Sequence, residues 1–201
     1  MNNNIIMELL QSAVTSNNFG LRKKFPWSVR HNADVDAKID SRNIRPNEVQ
    51  FLVDHLGSRL SITEDTFIGR IENPCLWSRY VLHYEEMKAN STASEVTEHI
   101  VLHATSISAA YEIADNNFDW RLVKRYRFGR GVSFAKDVDY AATQATRKGA
   151  YIIAGILVAA SKVGNFGTQI PPGTFDTTTN RAKSVYVKYY DNDFYPYYIA
   201  Y

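Results

Sequence analysis

Two histidines four residues apart, His99 and His103, open the stretch of this sequence richest in side chains able to do chemistry. On a helix that spacing would put two imidazoles on one face, the start of a metal site. The residues between them, Ile100-Val101-Leu102, read as a strand, and no third ligand accompanies the pair. His103 is left as a ring at a strand end, able to bond a bound hydroxyl or the local backbone. Further on, Gly129-Arg130-Gly131 makes a tight corner, which presents amides to a phosphate or simply turns the chain into the next strand. Between lie Arg121, Lys124, Arg125, Arg127 and Arg130, interleaved with Tyr126 and Phe128. Such a run is a solvated basic loop, or a surface for RNA or another anionic ligand. The lone cysteine, Cys75, excludes an internal disulfide and suits a reducing compartment; its Asn-Pro-Cys-Leu-Trp setting predicts a buried thiol rather than a nucleophile.

These residues need elements to hold them. Val49, Leu52, Val53 and Leu56 fall on one helical face after Pro46, with Gly57 placed to stop it. Thr66 to Ile71 alternates as a strand, and Asn73-Pro74 caps a helix running to about Ala89. A strand over Ile100 to His103 is followed by a helix after Ser106, a loop from Asn116 to Arg130 and a short strand, Val132 to Ala135. Asp137 then caps a helix expected to end near Lys148. The apolar run from Ala150 is too short to span a bilayer as a helix and predicts a buried strand to Ser161. Gly164 to Arg181 reads as a loop, and Val185 to Tyr190 and Tyr195 to Tyr201 as strands. Seven of the chain's 13 tyrosines fall in its last sixteen residues, which fits late β-structure. The order predicts an α+β protein, with 41–201 as one domain and 1–40 as a lead-in that packs on it or extends from it. Ile5, Ile6, Leu9, Leu10 and Ala13 suggest a short helix in that lead-in.

A net charge of +2 singles out no polyanionic partner by bulk electrostatics. The beginning, MNNNIIMELLQ, lacks the basic and continuous apolar segments of a secretory signal, so a soluble intracellular protein, cytoplasmic or nuclear and without membrane attachment, is expected.

From His103 onward the residues resemble a known family. His-Ala-Thr, Asn-Asn-Phe-Asp-Trp-Arg and Phe-Gly-Arg-Gly-Val-Ser-Phe-Ala are similar to the catalytic domain of the poly(ADP-ribose) polymerases. Arg70 to Tyr80, RIENPCLWSRY, is similar to that family's Arg-Ile-x-Asn-Pro-x-Leu-Trp stretch. Val163 to Pro172 is similar to its glycine-led loop ending in Pro-Pro, and YYDNDFYPYYIAY to its closing strands. Asn117 to Arg121 and those closing strands resemble the subgroup that attaches single ADP-ribose units. The resemblance implies an ADP-ribosyltransferase fold of two packed, antiparallel-rich sheets with flanking helices, NAD as co-substrate and no metal.

It also implies roles, position by position. His103 matches the histidine that bonds the NAD ribose and adenosine part; Ala104 stands where the next residue's backbone grips the carboxamide, and Thr105 beside it is a further cofactor-binding position. Ser133 stands where the first nicotinamide-stacking Tyr would be, between Gly131 and the Phe134-Ala135 pair. Counting on without a gap, Ala141 falls at the amide-binding Ser and Gln144 at the second stacking Tyr; Val185 falls at the glutamate that directs chain extension. The family's His-Tyr-Glu triad thus reads His103, Ser133, Val185. Arg121 begins the loop that flanks the diphosphate, and Tyr140, one helical turn before Gln144, could supply a ring in a remodelled pocket. The departures imply a mono-type transferase domain with a degenerate nicotinamide pocket, weak or inactive towards NAD and serving as a binding module. The competing readings are an active mono-ADP-ribosyltransferase and a nucleic-acid-binding module acting through the 121–130 loop.

Overall fold

The computed structural model describes residues 38–42, 44–56, 65–90 and 95–201. The helix expected around Ile5 lies outside them. The elements run β1 (Lys38–Asp40), α1 (Pro46–Leu56), β2 (Ile68–Glu72), α2 (Pro74–Asn90), β3 (Thr97–Thr105), α3 (Ile107–Asn116), β4 (Val132–Ala135), α4 (Val138–Gln144), β5 (Ala150–Val158), β6 (Ser161–Val163), β7 (Thr177–Thr179), β8 (Val185–Lys188) and β9 (Phe194–Ala200). A 3-10 turn covers Trp120–Leu122. The mixed α+β composition is as expected.

The expectation of two packed sheets is corrected. The strands form one nine-stranded sheet in the order β1-β2-β9-β5-β3-β4-β8-β7-β6, antiparallel except for β6 against β7. Its two halves meet between β3 and β4, where the register holds a single pair, Leu102 opposite Ala135. That one pair keeps the hydrogen-bonded ladder continuous, and the strands part beyond it.

Strand β5 shows why a continuous apolar run was needed at the centre. Ile152, Ala154, Ile156 and Val158 join a cluster with Val101, Phe118, Phe134 and Phe194 on one face. Ile153 and Leu157 join another with Leu52, Trp77, Tyr80 and Tyr198. Alternate residues enter opposite cores, so both faces of the strand must be apolar. The first core takes Ala110 of α3, and the second takes α1, α2 and α4.

Two polar knots fix the frame. Arg70 of β2 is 4% exposed and meets Glu48 of α1 at 2.8 Å, Glu72 at 2.9 Å and Asp40 of β1 at 3.1 Å. A buried guanidinium is tolerable only with such neutralisation. Asn73 caps α2 through Oδ1, which accepts from Leu76 N–H at 3.1 Å. Its Nδ2 donates to the Ala114 and Asp115 carbonyls at the end of α3. One side chain thus ties the start of one helix to the end of another.

Several boundaries differ from those expected. β1 lies inside the lead-in stretch. α4 stops at Gln144 rather than near Lys148, because Ala145 turns to extended backbone at ψ 130. The loop expected from Gly164 to Arg181 contains β7, and the expected strand to Ser161 breaks into β5 and β6. Cys75 is partly buried in α2 rather than fully so.

Candidate functional site

Where β3 and β4 part, a cleft of roughly 1830 Å³ opens. Beyond Leu102, strand β3 carries His103, Ala104 and Thr105 into its wall; β4 contributes Ser133, Phe134 and Ala135, and α4 contributes Tyr140, Ala141 and Gln144. Gly131, Val185 and Arg121 complete the residues predicted from sequence, and the structure brings every one of them to this cleft. Of the basic run, Lys124, Arg125 and Arg127 line it as well, while Arg130 does not.

His103 is held in a definite way. Its Nδ1 lies 3.0 Å from the carbonyl of Ser133, two residues from the paired Ala135 on β4. The ring packs edge-on to Phe118, with centroids 5.2 Å apart, and tilts against Phe134 at 5.9 Å. Burial pushes its pKa below the ordinary histidine range, more than the Ser133 bond raises it. A carbonyl only accepts, so this bond places a proton on Nδ1, and in the neutral ring a lone pair is left on Nε2. The same bond closes the gap between strands, so His103 is both a tautomer-fixed acceptor and a structural bridge.

The turn that presents Phe118 is built by Asn117. This residue sits at φ 69 and ψ 176, a region that glycine alone occupies easily. Its Nδ2 donates to the Asp191 carbonyl at 3.0 Å and the Phe194 carbonyl at 3.1 Å, and its Oδ1 accepts from Phe118 N–H. Asp119 caps the following 3-10 turn and bonds Arg121 at 3.0 Å. Arg121 forms a two-pronged pair with Asp191, at 3.0 and 2.8 Å. Its charge is thus already matched by two carboxylates, which hold its pKa above the usual arginine value.

The Gly-x-Gly corner serves the backbone. Gly129 has φ +135, and a methyl there would run into the Tyr189 hydroxyl. A methyl on Gly131 would meet the Lys188 carbonyl of β8. Both glycines are required for the turn and for the close approach of β4 to β8.

At the positions where the resemblance implies a grip on nicotinamide, the geometry is plain. Ser133 is exposed on β4, and Gln144 is exposed at the end of α4. Ala141 is buried, and Val185 lies 2% exposed opposite Ala135. Tyr140 lines the cleft while also packing against the core on the α1–α2 face. No carboxylate stands at the Val185 position.

Sequence reasoning missed some of the lining: Arg79, Glu112, Arg147 and Phe166 also face the cleft. Only the strand pairing could have shown that these distant segments converge. Nor did it find a chain of ion pairs outside the cleft lining, in which Lys188 meets Asp176 at 2.9 Å and Asp193 at 3.3 Å, and Asp193 meets His83 at 3.0 Å. Among the described residues there is no cluster of three or more His, Cys, Asp or Glu that could hold a metal, and no helix long and apolar enough to cross a membrane.

No protein-family model matches the chain. Several curated proteins give partial matches, three of which follow. Protein mono-ADP-ribosyltransferase PARP11 of Mus musculus is 28% identical over 111 residues, 54% of this chain and 34% of that protein. Protein mono-ADP-ribosyltransferase PARP12 of Homo sapiens is 27% identical over 146 residues, 66% of this chain and 21% of that protein. The PARP12 of Mus musculus is 35% identical over 75 residues, 36% of this chain and 10% of that protein. The chain thus spans about a third or less of the length of these relatives, and its kinship to mono-ADP-ribosyltransferases is distant homology.

Proposed function

We propose that the cleft is a nucleotide site of the mono-ADP-ribosyltransferase type that keeps its frame and has lost its hold on nicotinamide, so that the domain works as a binding module with little or no turnover of NAD. The observation that carries this reading is the contrast inside one cleft. His103 is anchored and tautomer-fixed, while Ser133, Ala141 and Gln144 stand at the ring and hydroxyl positions. A stacked ring contributes about 0.5–1.5 kcal/mol beyond burial. Two lost rings and one lost hydrogen bond of about 1 kcal/mol together weaken nicotinamide binding by roughly one and a half to three powers of ten.

The residues present fit the adenosine and ribose side of NAD and do not fit its nicotinamide side, so no transfer step follows from them. Val185 bears on a separate matter: an apolar side chain there cannot orient a second ADP-ribose for chain growth, which limits any residual activity to single units. The rival reading, an active mono-transferase, is supported by Tyr140 lining the cleft one turn before Gln144.

Incubation with labelled NAD, alongside thermal shift in millimolar NAD, separates the two. The proposal expects little stabilisation and no label transfer. Strong stabilisation with transfer of single units would establish the rival, because a ligand that binds the folded state must raise its stability.

A further inference from the structure

We infer that the open side of this cleft is a binding surface for single-stranded nucleic acid, a function beyond the nucleotide reading although it shares the same cavity. The whole chain carries only +2, yet the cleft concentrates cations: Arg79, Arg121, Lys124, Arg125, Arg127 and Arg147 line it against Glu112, Asp119 and Asp191. Two of those three carboxylates are spent on Arg121. Lys124, Arg125, Arg127 and Arg147 form no ion pair among the described residues, and the first three are on one strap.

That strap is tied down at both ends. Arg121 and Asn117 hold it to the stretch before β9. At the other end the Phe128 carbonyl accepts from Thr178 Oγ1 at 2.6 Å, and Arg130 N–H donates to the Thr168 carbonyl at 2.9 Å. The cations thus lie on a short segment whose two ends are anchored, which limits the span they can explore before engaging a ligand.

Size and aromatic character favour a strand over a compact anion. Roughly 1830 Å³ exceeds the ~300–1,000 Å³ typical of a small-molecule pocket. Tyr126 sits among the three strap cations, and Phe166 stands 79% exposed at the rim. Cations that follow a phosphate backbone, with rings on which bases can stack, make the sequence-tolerant mode of single-strand recognition. An acidic peptide would use the cations and leave the rings without a partner.

Fluorescence anisotropy with a labelled single-stranded RNA of about 12 nucleotides tests this on the full chain. Three or four phosphate contacts predict a slope of log affinity against log salt of about −2 to −3, and replacing Arg125 and Arg127 together by Gln should flatten it by about 1.4. Phe166→Ala should weaken binding on the order of tenfold, with the salt slope unchanged. Arg181→Gln, on the β7–β8 turn outside the cleft, should change neither. All these side chains are exposed, and unchanged urea midpoints verify that the variants fold. A flat salt dependence, an unaltered slope in the Arg125/Arg127 variant, or equal affinity for a glutamate-rich peptide of matching charge would overturn the inference. Absence of RNA binding overturns this inference alone, whereas strong stabilisation by NAD with label transfer overturns the proposed function and leaves the RNA result to stand by itself.

Discussion

Replacing Asn117 by alanine and by glycine gives the most quantitative test of how the site is held. The side chain makes three hydrogen bonds, at 3.0, 3.1 and 3.0 Å, to groups of the closing loop, β9 and its own turn. At about 1 kcal/mol each, their loss should destabilise Asn117→Ala by about 3 kcal/mol. Alanine keeps the cost of the φ 69, ψ 176 conformation, about 1–3 kcal/mol, which glycine escapes. Asn117→Gly should therefore lie about 1–3 kcal/mol above the alanine variant while losing the same bonds. Urea unfolding with a shared m-value measures both differences. Equal stabilities for the two variants would show that the backbone at this turn is not strained. A loss below about 1 kcal/mol for alanine would show that the bonds do not hold it.

Four further outcomes follow. Gly131→Ala should be strongly destabilising because its methyl would meet the Lys188 carbonyl, and a wild-type urea midpoint would reopen a ligand-binding role for that glycine. Lys188→Met removes the lysine that the buried Asp193 and the partly buried Asp176 share and should cost about 3–5 kcal/mol; a neutral result in denaturant melts would dismiss the buried pairs as a stabilising unit. His83 lies between Asp193 and Glu86, and although burial opposes its charge, these carboxylates raise its pKa above the ordinary value. A raised folded-state pKa stabilises fully below the unfolded pKa of about 6.5 and fades as pH climbs through the folded value. The stability gap between wild type and His83→Gln should thus be wider at acid pH than at alkaline pH, and a gap that widens with pH would reverse the assignment. By NMR titration His83 should titrate above His103, whose pKa burial lowers.

Much of the frame was legible because periodicity and capping report on local structure. Asn73-Pro74, Ser106 and Asp137 mark helix starts where the structure has them. The run from Ala150 reads as a buried strand because both its faces enter a core. What was illegible is non-local. The single Leu102–Ala135 pair decides between one sheet and two, and nothing in either strand reveals it. β7, Thr177–Thr179, lies in a Gly/Pro/Thr-rich stretch with no alternation, and all three threonines are buried by their neighbours. The positions named by resemblance, Tyr140, Ala141 and Gln144 of α4 among them, line one cleft, although they lie on separate elements. That Arg121 is spent on Asp119 and Asp191 was not legible, because Asp191 lies far along the chain.

On the function proposed above, the cleft keeps its frame while lacking the rings and hydroxyl that hold nicotinamide. Calorimetry with a nicotinamide analogue on wild type and on the double variant Ser133→Tyr with Gln144→Tyr tests it most directly. Restoring two stacked rings should tighten the analogue by about 1–3 kcal/mol, roughly five- to 150-fold. An unchanged affinity in a variant that folds as wild type would contradict it, since β4 and α4 would then not be the walls of a nicotinamide pocket.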